Sequence, residues 1–399
     1  MTEFRFAPTR RTALLGAASL LAAPAVRAQA STIKLGILQP VTGALAQDGE
    51  LGRMGAEFAI NEINAAGGIG GRQIEMVFGD ARSNPEAGVA EVERMAAAGV
   101  TAIVGGFASP ICLATTQAAA RYDLPYVVDV GVADTIVTRG LRNTFRFAPG
   151  FGTVMRVAVE NLVKLNDAAG KPAKTVVLVH EDGLFGSGLA RLMQNELPKH
   201  GFEILETIAH PTPARDMSNV ALRIRSLNPD LLIPSSYYGE FVLLARTMRQ
   251  QRIRPKGVYA VLNGAASNFR FVREFADAAD LVMDCNHWHD PRKPRAEELK
   301  RQVEAGGRFW AYNIPLNYSC VKLVADAIGR AGSAERGPVL EALAASTFSD
   351  HIMPYGPTKF ENGQNTGAGP VNTQVQGGDI KVIFPSEFAN AQPVFPARG

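Results

Sequence analysis

Between residues 33 and 80 the apolar and polar positions spell out strand, helix and strand. IKLGIL is an apolar run of strand length, stopped by Pro40-Val41-Thr42-Gly43. About a dozen residues on, LGRMGAEFAINEINAAGG places Met54, Phe58, Ile60 and Ile63 near helical spacing. Gly67, Gly68, Gly70 and Gly71 then end the helix, and IEMVF resumes as a strand. The pattern predicts a βαβ unit with parallel strands and a right-handed crossover. A polar loop over residues 42–50 is expected at the carboxyl end of the first strand, the edge at which open α/β sheets hold ligands.

The same alternation continues. Strands are predicted at 101–104, 126–130, 175–180, 203–207, 231–234, 257–261 and 281–284, and helices near 85–97, 111–121, 153–165, 187–200, 217–226 and 240–251. Further helices are expected near 296–305 and 315–331. VNTQVQ and IKVIF flank Gly377-Gly378-Asp379, a β-hairpin signal. The fold class is therefore α/β, doubly wound throughout. Three stretches break the rhythm and read as crossings between lobes: 146–150, the proline-bearing run 287–294, and Pro354-Tyr355-Gly356-Pro357. They divide the chain into residues 31–147 plus 288–353 as one lobe and 148–287 plus 354–399 as the other. Two parallel-sheet lobes joined by three hinge crossings can close over a ligand.

Residues 1–30 read as an export signal: Arg10-Arg11, an apolar stretch to Val26, and small residues at Ala28-Gln29-Ala30. The paired arginines suggest twin-arginine export, although the general pathway uses a similar pattern. Cleavage would leave about 370 residues, more than one core usually fills. The formal charge of +3 is carried by this leader, where Arg5, Arg10, Arg11 and Arg27 face only Glu3. The remainder is neutral and shows no basic stripe, so neither nucleic acid nor insertion into a membrane is expected. A periplasmic monomer without a cofactor is. Three cysteines, Cys112, Cys285 and Cys320, allow at most one bridge, of which Cys285 with Cys320 is one choice and three buried thiols the alternative.

Candidate site residues follow the strand ends. Ser109-Pro110 precedes a helix, so Ser109 either caps that helix or, with the free amides there, seats a carboxylate or phosphate. Gly131 permits close backbone approach or is a plain turn. Phe185 closes over an apolar ligand or packs in the core. Tyr237 and Tyr238 are adjacent, so one of them is expected at the cleft. Asn263 ends another strand, and Asp48 lies on the first loop, facing either a ligand cation or solvent.

Several separated segments, in the right order, carry a family resemblance: IKLGILQPVTGALAQDG, AEFAINEINAAGGIGGRQIEMVFGDARSNPEAGV, IVGGFASP, TRG at 138–140 and HEDGLFGSGLA. The chain resembles, over nearly all of its mature length, the periplasmic solute-binding proteins of the branched-chain amino acid type. These deliver ligand to the membrane permease of an ATP-driven (ABC) importer. The resemblance implies a two-lobed fold with three hinge strands. It implies that Ser109 binds the ligand carboxylate, assisted by the loop of Gly131, Val132 and Ala133. That loop reads GVADT, so a threonine contact there would have to come from Thr135. Phe185 stands where leucine binders have a tyrosine, and Tyr237 or Tyr238 where they have a cleft tyrosine. Asn263 occupies the place of the glutamate that pairs with the ligand ammonium, and Asp48 that of a first-loop tyrosine. Either Asp48 has taken over the ammonium, or the ligand has none. A branched-chain amino acid, an amide and an aromatic acid are all compatible.

Other classes are weaker. Gly183, Gly186 and Gly188 lie between a strand and a helix, but no GK[ST] follows and no G-x-S-x-G elbow is present, which argues against an enzyme. His287, His289 and Asp290 offer metal-ligand types without a third nearby His or Cys. A periplasmic sensor of the same fold is a further alternative.

Overall fold

The computed structural model of the chain describes Met1 and residues 32–397, so the expected leader lies outside the described residues. The chain opens with β1 (Ile33–Gln39), α1 (Ala46–Ala65), β2 (Ile74–Asp80), α2 (Pro85–Ala97), β3 (Ala102–Gly105), α3 (Ser109–Ala120), β4 (Tyr126–Val128) and β5 (Thr144–Arg146). It crosses to α4 (Phe151–Ala168), β6 (Thr175–Glu181), α5 (Leu184–Glu196), β7 (Glu203–His210), α6 (Ser218–Leu227), β8 (Leu231–Ser235), α7 (Tyr238–Gln250), β9 (Gly257–Val261), the short α8 (Phe269–Glu274) and α9 (Ala276–Ala279), and β10 (Met283–Asn286). It then returns as α10 (Pro294–Ala305), α11 (Asn313–Ala331) and α12 (Arg336–Ala344). Four strands close the chain: β11 (Phe360–Glu361), β12 (Gln364–Asn365), β13 (Val371–Gln376) and β14 (Asp379–Phe384).

Two seven-stranded sheets result, in the orders β11-β12-β5-β4-β3-β1-β2 and β14-β13-β10-β9-β8-β6-β7. Counted from each lobe's own start, the five parallel strands run fifth, fourth, third, first, second in both. The topology is thus the same twice over. Central strands such as β1 and β3 are covered on both faces and read as unbroken apolar runs. The edge strand β2 keeps partial exposure. Asn84 caps α2 by accepting from the Ala87 N–H at 2.9 Å, with Pro85 opening the helix.

Two expectations are corrected. The first loop is shorter than its polar composition suggests, because α1 already starts at Ala46 and takes in Asp48 and Gly49. Glycine weakens a helix by about 1 kcal/mol, which favours the loop reading. Here it serves close approach: a Cβ on Gly49 would lie 2.2 Å from the Pro40 carbonyl oxygen, and one on Gly55 2.3 Å from that of Ile314 on α11. The third crossing also comes later than Pro354–Pro357. β12 pairs with Arg146 of β5, so the chain stays in the first sheet to Asn365 and enters the second at Val371. Strands of two residues carry no periodicity to read.

Candidate functional site

The carboxyl ends of both sets of parallel strands meet at one cavity of about 330 Å³. From the first lobe, Phe107, Ser109, Val130 and Val132 line it, joined by Tyr312 at the start of α11. From the second come Phe185, Tyr237, Leu262, Gly264 and Asn286. The two lobes touch through their aromatic rings. Tyr237 lies 5.8 Å, centroid to centroid, from Phe107 of the opposite lobe and 5.3 Å from Phe185 of its own. A residue that is half-buried by surface area yet sits deep between lobes, as Tyr237 does, spends its exposed area on the cavity.

The polar seat is built on the first lobe. Ser109 is the first residue of α3 and not its N-cap, which is Ala108. Its hydroxyl oxygen accepts the Ala133 N–H at 3.2 Å and so retains its own proton for another acceptor. The helix N-terminus beside it adds unsatisfied amides and a positive dipole end. The 131–133 loop is held from below by Arg146, only 1% exposed. Its guanidinium donates to the carbonyls of Ala133 at 2.7 Å and Gly131 at 3.4 Å, to Asp134 at 3.0 Å and to Gln364 at 2.7 Å. Burial pulls the Arg146 pKa down and Asp134 opposes that, leaving a guanidinium cation under the seat. Asp129 braces the neighbouring turn, accepting from the Phe107 N–H at 2.9 Å and from Gln39 at 2.8 Å. Phe107 itself stands at φ +54°, the left-handed region that non-glycine residues rarely occupy.

The second lobe supplies an apolar wall over a satisfied polar network. Asp284 accepts from the Asn263 N–H at 3.2 Å, the Ser267 hydroxyl at 2.7 Å and the Asn286 amide at 2.9 Å. Burial pushes its carboxyl up to about 7. Glu181 receives the Gly183 and Gly186 N–H groups at 2.7 and 2.8 Å, capping the turn into α5.

Of the nine residues expected at the site, Ser109, Val132, Phe185 and Tyr237 line the cavity, and Gly131 and Ala133 shape it through their backbone. Three are elsewhere. Tyr238, the first residue of α7, is turned into the protein beside the Gln47 side chain. Asn263 is fully buried, and its oxygen accepts the Ala265 and Ala266 N–H groups at 2.9 and 3.2 Å. Asp48 is buried in the first turn of α1, near Asn313, with one carboxylate oxygen unpartnered among the described residues. Burial first, and Glu240 in part, raise its pKa to about 8 against the pull of Asn313, so it is mostly protonated at neutral pH. Thr135 is exposed and does not reach the seat. Asn286 was missed because β10 extends two residues beyond the expected strand. Arg146 was taken for part of a crossing. Tyr312 follows no strand, so collecting strand-end residues could not find it.

His289 is engaged by the Trp310 indole N–H at 3.1 Å and by Glu297 at 3.2 Å, and Asp290 by Arg292 at 3.0 Å. Among the described residues no cluster of three or more His, Cys, Asp or Glu is placed to hold a metal. All three cysteines are buried free thiols, so Cys285 and Cys320 are not bridged. No helix among the described residues is long and apolar enough to cross a membrane.

A doubly wound pair of lobes with one cavity between their strand ends defines a ligand-binding protein, and residues 32–378 match the periplasmic binding protein family. The chain belongs to that family. It is 27% identical, over 96% of its own length and 98% of the relative's, to Leu/Ile/Val-binding protein homolog 7 of Brucella melitensis. Among solved structures it superposes with a TM-score of 0.76 on the branched-chain amino acid transporter substrate-binding protein LivJ of Streptococcus pneumoniae in complex with isoleucine (21% identity, 89% and 100% of the two chains). The same score relates it to an ABC transporter solute-binding protein of R. palustris in complex with benzoate (20% identity, 88% and 95%).

Proposed function

We propose that the chain is the periplasmic substrate-binding component of an ABC importer. It is exported as a leader-bearing precursor, acts as a monomer, and closes its lobes over a small amphipathic ligand for delivery to a membrane permease. The observation that carries this is the division of one cavity between two lobes. A hydroxyl and a helix N-terminus lie on one side, and the Phe185–Tyr237 pair on the other. A ligand carboxylate or carboxamide would take the Ser109 proton and lie against the 131–133 loop, with its apolar body between the rings. The ligand proposed is of amino-acid size. The relatives' names, and the isoleucine and benzoate in two related structures, support the same ligand size.

The lobes would move as bodies about the crossings near 147–150, 287–293 and 366–370. Ligand favours the closed form only through its greater affinity for it. The test is a thermal-shift screen of the protein lacking residues 1–30 against amino acids, amides and aromatic acids. A ligand at 100 times its dissociation constant adds about 2.7 kcal/mol of stability. Small-angle scattering should show the hit compacting the molecule. If no small carboxylate or amide shifts the midpoint, the reading fails.

A further inference from the structure

We propose that the occupant of the cleft is a small monocarboxylate with no ammonium group, because the walls supply an anion seat and no acidic side chain to pair with a cation. The proposal deepens the function given above and rests on it. An ammonium taken from water into this cavity would need a carboxylate or several free carbonyls, since an unpaired buried charge is costly. Among the described residues, no acidic side chain lines the cavity.

The carboxyl groups behind the walls are otherwise occupied. Both oxygens of Asp284 and both of Glu181 are filled by donors of their own lobe. Glu240 accepts from the Ala214 N–H at 3.2 Å. Asp48 stands outside the lining and, buried beside Asn313, favours its neutral form. Asn263, fully buried, has its oxygen committed to two backbone amides.

Four of the carbonyls near the strand ends are committed too. Those of Gly131 and Ala133 receive Arg146, that of Val132 receives the Phe151 N–H at 2.8 Å, and that of Asn263 receives Asn286 at 3.0 Å. Free donor capacity lies at the Ser109 hydroxyl and the first amides of α3, with the Arg146 cation beneath them. His287, buried near Arg146 and Tyr312, has both ring nitrogens unpartnered among the described residues and is held neutral by burial. Its neutral ring keeps one acceptor nitrogen, but it stands outside the lining of the cavity. Such a field favours a monoanion with an apolar body over a zwitterion.

The experiment is isothermal titration of the protein lacking residues 1–30 with matched pairs that differ at the ammonium: 3-phenylpropanoate against phenylalanine, and 4-methylpentanoate against leucine, with benzoate alongside. The expected result is that at least one deaminated acid binds about 100-fold more tightly than its amino acid, a difference of about 2.7 kcal/mol. Equal or tighter binding of the amino acid overturns the proposal while leaving the transport reading intact. If Asp48→Asn then abolishes that amino-acid binding, the ammonium partner is Asp48. Failure of every probe here, and of every amino acid and amide in the thermal-shift screen, overturns both.

Discussion

The two lobes repeat one topology and differ at the same place in it. In each, the third strand ends in a turn that starts a helix at the cleft: β3 leads to Ser109 at the head of α3, and β8 to Tyr237 at the head of α7. One lobe thus presents a hydroxyl and a helix dipole where the other presents an aromatic ring. Their buried scaffolding differs as well, with the Arg146 cation behind the first lobe's loop and the Asp284 carboxyl, pushed toward its neutral form by burial, behind the second lobe's. Under the proposed function, neither lobe would hold both ends of an amphipathic ligand, and contact with both would make closure depend on the ligand. Duplicate folds need not mean duplicate chemistry.

The most forceful way to break this asymmetry is to remove the cation. Arg146→Met keeps much of the volume but leaves the buried Gly131 and Ala133 carbonyls without their donors, at about 1–3 kcal/mol each. Urea unfolding should show a loss of about 3–5 kcal/mol in total, together with loss of ligand affinity. A loss below about 1 kcal/mol would mean that the loop stands without its guanidinium. Next in size is Ser109→Ala, which removes a hydrogen bond to a charged group, worth about 1.5–3 kcal/mol. It should weaken binding of a carboxylate ligand roughly 10- to 100-fold with little change in stability. An unchanged dissociation constant would move the anion seat elsewhere.

The acidic side of the comparison is tested by pH. Asp48 and Asp284 have native pKa values raised to about 8 and about 7 from 3.8. Between pH 4 and those values the native state holds protons that the unfolded chain has released, so stability falls as pH rises through that window. Each group contributes at most about 1.4 kcal/mol per pH unit. Urea midpoints should be higher at pH 5 than at pH 7, and Asp48→Asn should flatten that decline. An identical decline in the variant would show that Asp48 is ionised in the native state.

How much of this was legible follows from what periodicity can register. Central parallel strands are buried on both faces, so IKLGIL and its counterparts stand out as apolar runs, and the α/β alternation with them. Ser109 and Phe185 were found because they follow strands of that kind. Asp48 was misplaced onto a loop because Gly49 and Gly52 resemble loop residues, whereas Gly49 lets the helix approach the Pro40 backbone and Gly52 makes room for the Gln39 and Asn317 side chains. Asn263 was expected at the ligand because it ends a strand, yet its side chain is used two and three residues along the chain, a local duty that position alone does not reveal. Arg146 and Gln364 are 218 residues apart, and nothing in either segment announces that they bond.

The smallest effect sharpens the comparison from the polar side. The resemblance leaves room for a threonine at the carboxylate seat, and Thr135 is the sequence's nearest offer. It lies in a short 3-10 turn, exposed, while the seat's own donors come from Ser109 and the first amides of α3. Thr135→Ala should therefore leave stability within about 0.5 kcal/mol and ligand affinity within about threefold. Titration of Thr135→Ala beside Ser109→Ala separates the two possibilities. If the threonine variant lost as much affinity as the serine one, the 131–133 loop would have to turn over on binding and carry Thr135 inward. In that case Arg146 would be holding only the unliganded form of the loop.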